Sequence, residues 1–181
     1  MPKTKSPTEK TERILQIYHL FITCEEVSKQ EIRSSIGNEW NDKTISRDIA
    51  LLKRAAVPVH FSMRRKAYVL EYKSEDEFTD NEAYSVPALP EGKKERQYIE
   101  KIMRLTTLMD YLRNMPDDPV EVWYTKTFPE VSKRTMQRDF ALMNSILYNI
   151  EYKRAWIEAW DKENEQPVGH YYFSEPYPYG F

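Results

Sequence analysis

Glycine is scarce. The four in this 181-residue chain stand at positions 37, 92, 169 and 180, too far apart to form a phosphate-cradling loop, so nothing points to nucleotide hydrolysis. Cysteine is scarcer still: Cys24 stands alone, which excludes an internal disulfide and makes a reducing compartment the simpler setting. With only His19 of the same helix nearby, Cys24 is expected to be a small buried apolar residue rather than a nucleophile. The three histidines, His19, His60 and His170, have no metal-ligand spacing and read as surface or packing residues, so no metal or cofactor is expected. Glu25-Glu26 and Asp117-Asp118 read as solvated turn residues, and no Ser-His-Asp or Cys-His constellation is visible, so no enzyme is expected. No apolar run approaches the roughly 18 to 20 residues that span a bilayer. The opening "MPKTKSPTEKTE" has no apolar signal-peptide core, so a cytoplasmic location without membrane contact is expected.

What is present is 40% apolar and 31% charged residues, enough for packed interiors with charged, helix-rich surfaces. The net charge of −2 hides an uneven distribution. Residues 1–73 carry 14 Lys/Arg against nine Asp/Glu, residues 74–92 carry none against six, and residues 93–181 carry 13 against 14. The first part is the basic one.

The chain also repeats itself. "TISRDIALL" at 44–52 returns as "TMQRDFALM" at 135–143, with five of nine positions identical. At this offset of 91 residues the match extends without a gap from about Arg13/Arg104 to Phe61/Tyr152. Ile14, Ile17, Tyr18 and Phe21 fall on Leu105, Leu108, Met109 and Leu112, each set spaced to make one apolar helix stripe. So long a period signals a duplicated domain rather than a solenoid.

In the first copy, Ser6-Pro7-Thr8-Glu9 reads as a capping box opening a helix to about Phe21. After a short extended piece, Ser28-Lys29-Gln30-Glu31 caps a second helix that stops at Gly37, and Asn41 caps a third. The alternation in "VHFSMRRKAYVLE" predicts a hairpin around Met63 to Lys66. The second copy repeats this plan: a helix over about Lys93 to Asn114, a second opened by the box Asp118-Pro119-Val120-Glu121, a third capped by Ser132, and strands at "YNIEY" and "HYYF" around a longer connection. The expected fold is α+β and helix-rich, with a first domain at 1–73, an acidic, Pro-containing linker at 74–92 and a second domain at 93–181.

On a helical wheel, Ile45, Ile49 and Leu52 face a core, as do Met136, Phe140 and Met143. Lys43, Arg47, Ala50 and Arg54 lie opposite, flanked by Ser46; the second copy has Arg134, Arg138, Ala141 and Ser145, flanked by Gln137. Such a face suits a DNA major groove: Arg and Lys reach base acceptors or phosphates, Gln and Ser read base edges, and Ala permits close approach.

"DKTISRDIALL" and "SKRTMQRDFALM" resemble the recognition helix of winged helix-turn-helix regulators of the DeoR and WYL-domain type. The likeness covers the third helices closely and about 60 residues of each half as a pattern. It implies two tandem winged helix-turn-helix domains binding double-stranded DNA as a transcriptional regulator, with Arg47 and Arg138 contacting DNA and no ligand-sensing WYL domain. Asp48 and Asp139 are expected to hold the helix in place. On this reading Lys43, Thr44, Ser46, Arg47 and Arg54 enter one groove and Lys133, Arg134, Gln137 and Arg138 another, at half-sites ~34 Å apart. Arg64, Arg65 and Lys66 of the first hairpin would lie on the DNA backbone.

The second hairpin differs, since its "DKENEQ" tip carries three acids and one Lys, with Lys153 and Arg154 at its base. Trp156, Trp160, Tyr171, Tyr172, Phe173, Tyr177, Tyr179 and Phe181 crowd the last 26 residues. They are expected to fill a small core and anchor the tail, with any exposed ones forming a homodimer or other protein contact. The alternative functions are an interaction module, such as an adaptor or inhibitor of nucleic-acid machinery, and a replication initiator.

Overall fold

The computed structural model describes residues 7–37, 39–70, 89–154, 160–161, 166–167 and 169–174, which form a helix-rich α+β chain of six helices and short antiparallel strand pairs. Among these residues no helix is long and apolar enough to cross a membrane. The Ser6 cap, nearly all of the acidic 74–92 segment, Trp156, most of the "DKENEQ" tip and the tail with Tyr177, Tyr179 and Phe181 lie outside the described residues. The chain divides into two compact units, 1–106 and 107–181, within its fourth helix.

In the first unit, Pro7 opens helix α1 (Pro7–Thr23), where its missing N–H costs no helical hydrogen bond. Its stripe Ile14, Ile17, Tyr18 and Phe21 is buried. Helix α2 (Lys29–Ile36) starts on a complete capping box: Glu31 N–H donates to Ser28 Oγ at 3.2 Å, and Ser28 N–H donates to Glu31 Oε2 at 2.7 Å. The Ser28 N–H, and after it the Ser28 hydroxyl, hold the Glu31 carboxyl below its ordinary range. The helix stops at Gly37, whose φ of +103° is strained for any side-chain-bearing residue and whose N–H reaches Arg33 O at 3.1 Å. Helix α3 (Asp42–Arg54) is followed by the antiparallel pair β1 (Val59–Ser62) and β2 (Ala67–Leu70), joined through residues 63–66. The extended residue Val27 adds a bridge to β2, its N–H donating to Tyr68 O at 2.9 Å and its carbonyl accepting from Tyr68 N–H at 2.8 Å.

Helix α4 (Lys93–Arg113) belongs partly to this unit. Tyr98 Oη lies 3.5 Å from Thr11 Oγ1, and Lys10 stands 4.8 Å from the centroid of the Tyr98 ring. Arg54 Nη1 donates to Glu95 Oε1 at 2.6 Å.

In the second unit, α5 (Val120–Thr127) and α6 (Lys133–Ser145) precede strands β3 (Asn149–Arg154) and β6 (Gly169–Ser174), with the minimal pair β4 (Trp160–Asp161) and β5 (Gln166–Pro167) between them. β3 and β6 pair antiparallel, Ile150 opposite Phe173 and Tyr152 opposite Tyr171. Leu108, Met109, Leu112, Met136, Phe140 and Met143 are buried. Aromatic edges tie the layers: Phe140 meets Tyr124 at 5.5 Å and Tyr171 at 5.3 Å between centroids.

The offset of 91 residues is preserved in the backbone. α2 and α5 have equivalent limits, as do α3 and α6. Each third helix ends in a left-handed residue at the same place, Ala56 with φ +63° and Leu147 with φ +77°. Past each, the next N–H folds back onto the last turn: Val57 donates to Leu52 O at 3.0 Å and Tyr148 to Met143 O at 3.1 Å, the closing bond of a Schellman motif.

Two expectations are corrected. The box Asp118-Pro119-Val120-Glu121 does not form; the cap position of α5 is Pro119 and no side chain caps it. The helix begins at Val120, one residue later than a cap at Asp118 requires, so Glu121 is no longer the third helical residue; its carboxylate instead bonds His170 Nδ1 of β6. Cys24 is exposed rather than buried, because it lies just past the end of α1, its N–H bonded to Leu20 O at 2.9 Å.

Candidate nucleic-acid interface

The surface of α3 follows from how its buried side is held. Asn41 Oδ1 accepts from Thr44 N–H at 2.9 Å, starting the helix, and Ile45, Ile49 and Leu52 are buried beneath it. Among these apolar residues sits Asp48, also buried. Its Oδ2 accepts from Arg13 Nε of α1 at 2.6 Å, and the Arg13 guanidinium lies 3.7 Å from the Trp40 ring centroid. A charge buried this deeply persists only when paired, so the ion pair sets the roll of α3 about its axis.

With that roll, Lys43, Ser46, Arg47 and Ala50 are exposed and Thr44 is half-buried. Arg54 is half-buried and differs from these in having an acidic partner, its Nη1 donating to Glu95 Oε1 at 2.6 Å. On the β1–β2 turn, Arg64, Arg65 and Lys66 are exposed. Arg65 N–H donates to Ser62 Oγ at 3.3 Å and Lys66 takes φ +54°, which shapes the turn. The Arg65 guanidinium stands 3.6 Å from Glu26, an exposed pair of little energetic weight.

α6 is built alike from different parts. Ser132 Oγ accepts from Thr135 N–H at 3.3 Å, and Met136, Phe140 and Met143 are buried. Asp139, at the position of Asp48, is buried and accepts from Tyr124 Oη of α5 at 2.6 Å. Lys133, Arg134, Gln137, Arg138 and Ala141 are exposed. Asn144 follows on this helix and bonds both backbone groups of Ile150, accepting from its N–H at 2.8 Å and donating to its carbonyl at 3.1 Å. It thereby ties β3 to α6.

Among the described residues, Lys43, Arg47, Arg64, Lys66, Lys133, Arg134 and Arg138 have no acidic partner, and Ser46 and Gln137 have no side-chain hydrogen bond. The carboxylates that anchor the two helices, Asp48 and Asp139, thus lie on the inner side, and the outer cations and hydrogen-bonding groups remain available to a ligand. Sequence reasoning missed Arg13, Tyr124 and Asn144 as the groups that orient these faces. The Arg13/Arg104 correspondence at the start of the repeat was the one signal for Arg13; no local pattern marks the other two.

In unit 2 the base of the hairpin is partly neutralised. Lys153 Nζ donates to Ser174 Oγ at 2.8 Å and lies 3.8 Å from Glu151. Comparison with known proteins finds no matching family model, curated protein or solved structure.

Proposed function

We propose that the chain is a sequence-specific, double-stranded DNA-binding transcriptional regulator built of two winged helix-turn-helix domains, similar to the DNA-binding part of DeoR and WYL-type regulators. α3 and α6 act as recognition helices, and the β1–β2 hairpin is a basic wing against the phosphate backbone. The observation that carries this reading is the pair of outward helix faces whose cations have no acidic partner among the described residues. Arginine on such a face binds guanine or phosphate, glutamine binds adenine, and the central Ala50 or Ala141 lets the backbone approach.

The first unit supplies most of the affinity on this reading, because among the described residues its free helix face is joined by three exposed hairpin cations, Arg64, Arg65 and Lys66. The test is fluorescence anisotropy of the full chain on labelled duplex DNA across a salt series. Log affinity should fall linearly with log salt, as each neutralised phosphate releases counterions. Absence of binding, or binding indifferent to salt, would overturn the proposal.

A second reading, protein contact through unit 2, has its own observation. Val122 at 54%, Leu147 at 69% and Tyr152 at 54% exposure are large apolar side chains in solvent. A groove of about 600 Å³ lined by Val122, Thr125, Val131 and Met136 adjoins the first of them. Binding through such a surface would respond weakly to salt, so the same titration separates the two readings.

A further inference from the structure

We infer that the two helices read unequal half-sites that share a guanine and differ at the neighbouring base, with Gln137 and Ser46 setting the difference. This rests on the DNA-binding reading above and adds a rule of specificity to it.

The two faces are comparable position by position. Both helices have the same limits relative to the repeat, a side-chain cap one residue before them and the same left-handed exit. Each also has a buried carboxylate at the same place, Asp48 or Asp139, tied to the unit's interior. Those constraints present the same four positions in each helix: Lys43, Ser46, Arg47 and Ala50 in one, Arg134, Gln137, Arg138 and Ala141 in the other, all exposed.

Within this set Arg47 matches Arg138 and Ala50 matches Ala141, so a bidentate arginine–guanine contact and a small residue fit for a thymine methyl are common to both. Lys43 and Arg134 are both cations, able to take guanine or phosphate. Among these four positions the chemistry changes at one, while just before them exposed Asp42 is replaced by Lys133. Gln137 carries an amide that donates and accepts at once, matching adenine N7 and N6. Ser46 has a single short hydroxyl that bonds to any of several base edges and discriminates little. The α6 half-site should therefore demand adenine beside its guanine, and the α3 half-site should be permissive there.

The experiment is selection of bound fragments from a random duplex library by the full chain, its Gln137→Ser variant and its Ser46→Gln variant. These are exposed positions, so both variants should keep the wild-type fold by circular dichroism. The wild-type chain should enrich two half-sites that share guanine, one with adenine beside it. Gln137→Ser should reduce the preference for that adenine roughly 10-fold, and Ser46→Gln should create the same preference in the other half-site. Enriched half-sites that neither variant alters would overturn this inference and leave the DNA-binding reading standing. Salt-sensitive binding without any enriched sequence would overturn it too, together with sequence specificity. No binding to DNA at all would overturn both.

Discussion

Arg13 and Asp48, 35 residues apart, form a buried ion pair with Nε to Oδ2 at 2.6 Å beneath the ring of Trp40. Arg13→Ala would leave the carboxylate buried without its charge partner, a change that costs about 3–5 kcal/mol. Urea denaturation should show the loss in full. A midpoint lowered no more than by Arg64→Ala, a surface change, would mean that the pair does not anchor α3.

Leu147 is both exposed and left-handed, with φ +77°. A left-handed conformation costs an L-residue about 1–2 kcal/mol, which glycine avoids at an entropic cost of about 0.5–1 kcal/mol. Leu147→Gly should therefore stabilise the chain by roughly 0.5–1 kcal/mol, and Ala56→Gly, with φ +63°, by slightly less because it is partly buried. Thermal melts that fall for both variants would contradict this account of the two helix ends.

On DNA, Arg47→Ala should weaken binding about 10-fold and exceed the effect of Arg138→Ala, because only the first unit adds Arg64, Arg65 and Lys66 beside its helix. Neutralising Lys66 should flatten the log affinity–log salt slope by about 1 without changing sequence preference. Arg54→Ala should change DNA affinity less than Arg47→Ala, since its guanidinium is held by Glu95. The reverse ranking of Arg47 and Arg138 in a mobility-shift titration would shift the main grip to the second unit.

Tyr148 is buried, and burial first, then the nearby Asp110 carboxylate, pushes its phenol up to about 12, against a weaker opposing effect of Arg113. Its folded value lies above the ordinary value of 10.0, so the unfolded chain ionises first. The stability tied to this phenol is intact below about pH 10 and declines as pH climbs towards about 12. The difference between the wild-type chain and Tyr148→Phe in denaturation midpoint should therefore stay constant to about pH 10 and shift in favour of the variant above it. A difference independent of pH would show that the phenol ionises freely in the folded state.

Much of the fold was legible because it depends on short-range rules. The stripes of Ile14, Ile17, Tyr18 and Phe21 and of Ile45, Ile49 and Leu52 are buried as their spacing requires. The caps Ser28, Asn41 and Ser132 accept the backbone N–H bonds expected of them. The Asp118 box misled because its spacing was right while the helix starts one residue later, at Val120, and the Glu121 carboxylate is taken by His170. Cys24 misled because a residue's usual burial says little at a helix end, where exposure depends on what packs there.

The sequence by itself determined the repeat, the order of the helices and of the main strands, though not the short pair β4–β5, and which side of each third helix is apolar, because these follow from periodicity and local hydrogen bonding. Only the tertiary structure decided which polar partners orient those helices. Asp48 could pair with any cation along the chain, and the packing of α1 on α3 chose Arg13; the corresponding Asp139 bonds Tyr124 of α5. The same holds for Arg54, whose place on the wheel left it free and whose neighbour Glu95 did not. Burial makes the pairings of Asp48 and Asp139 obligatory, but it is three-dimensional packing, not spacing, that selects the partner.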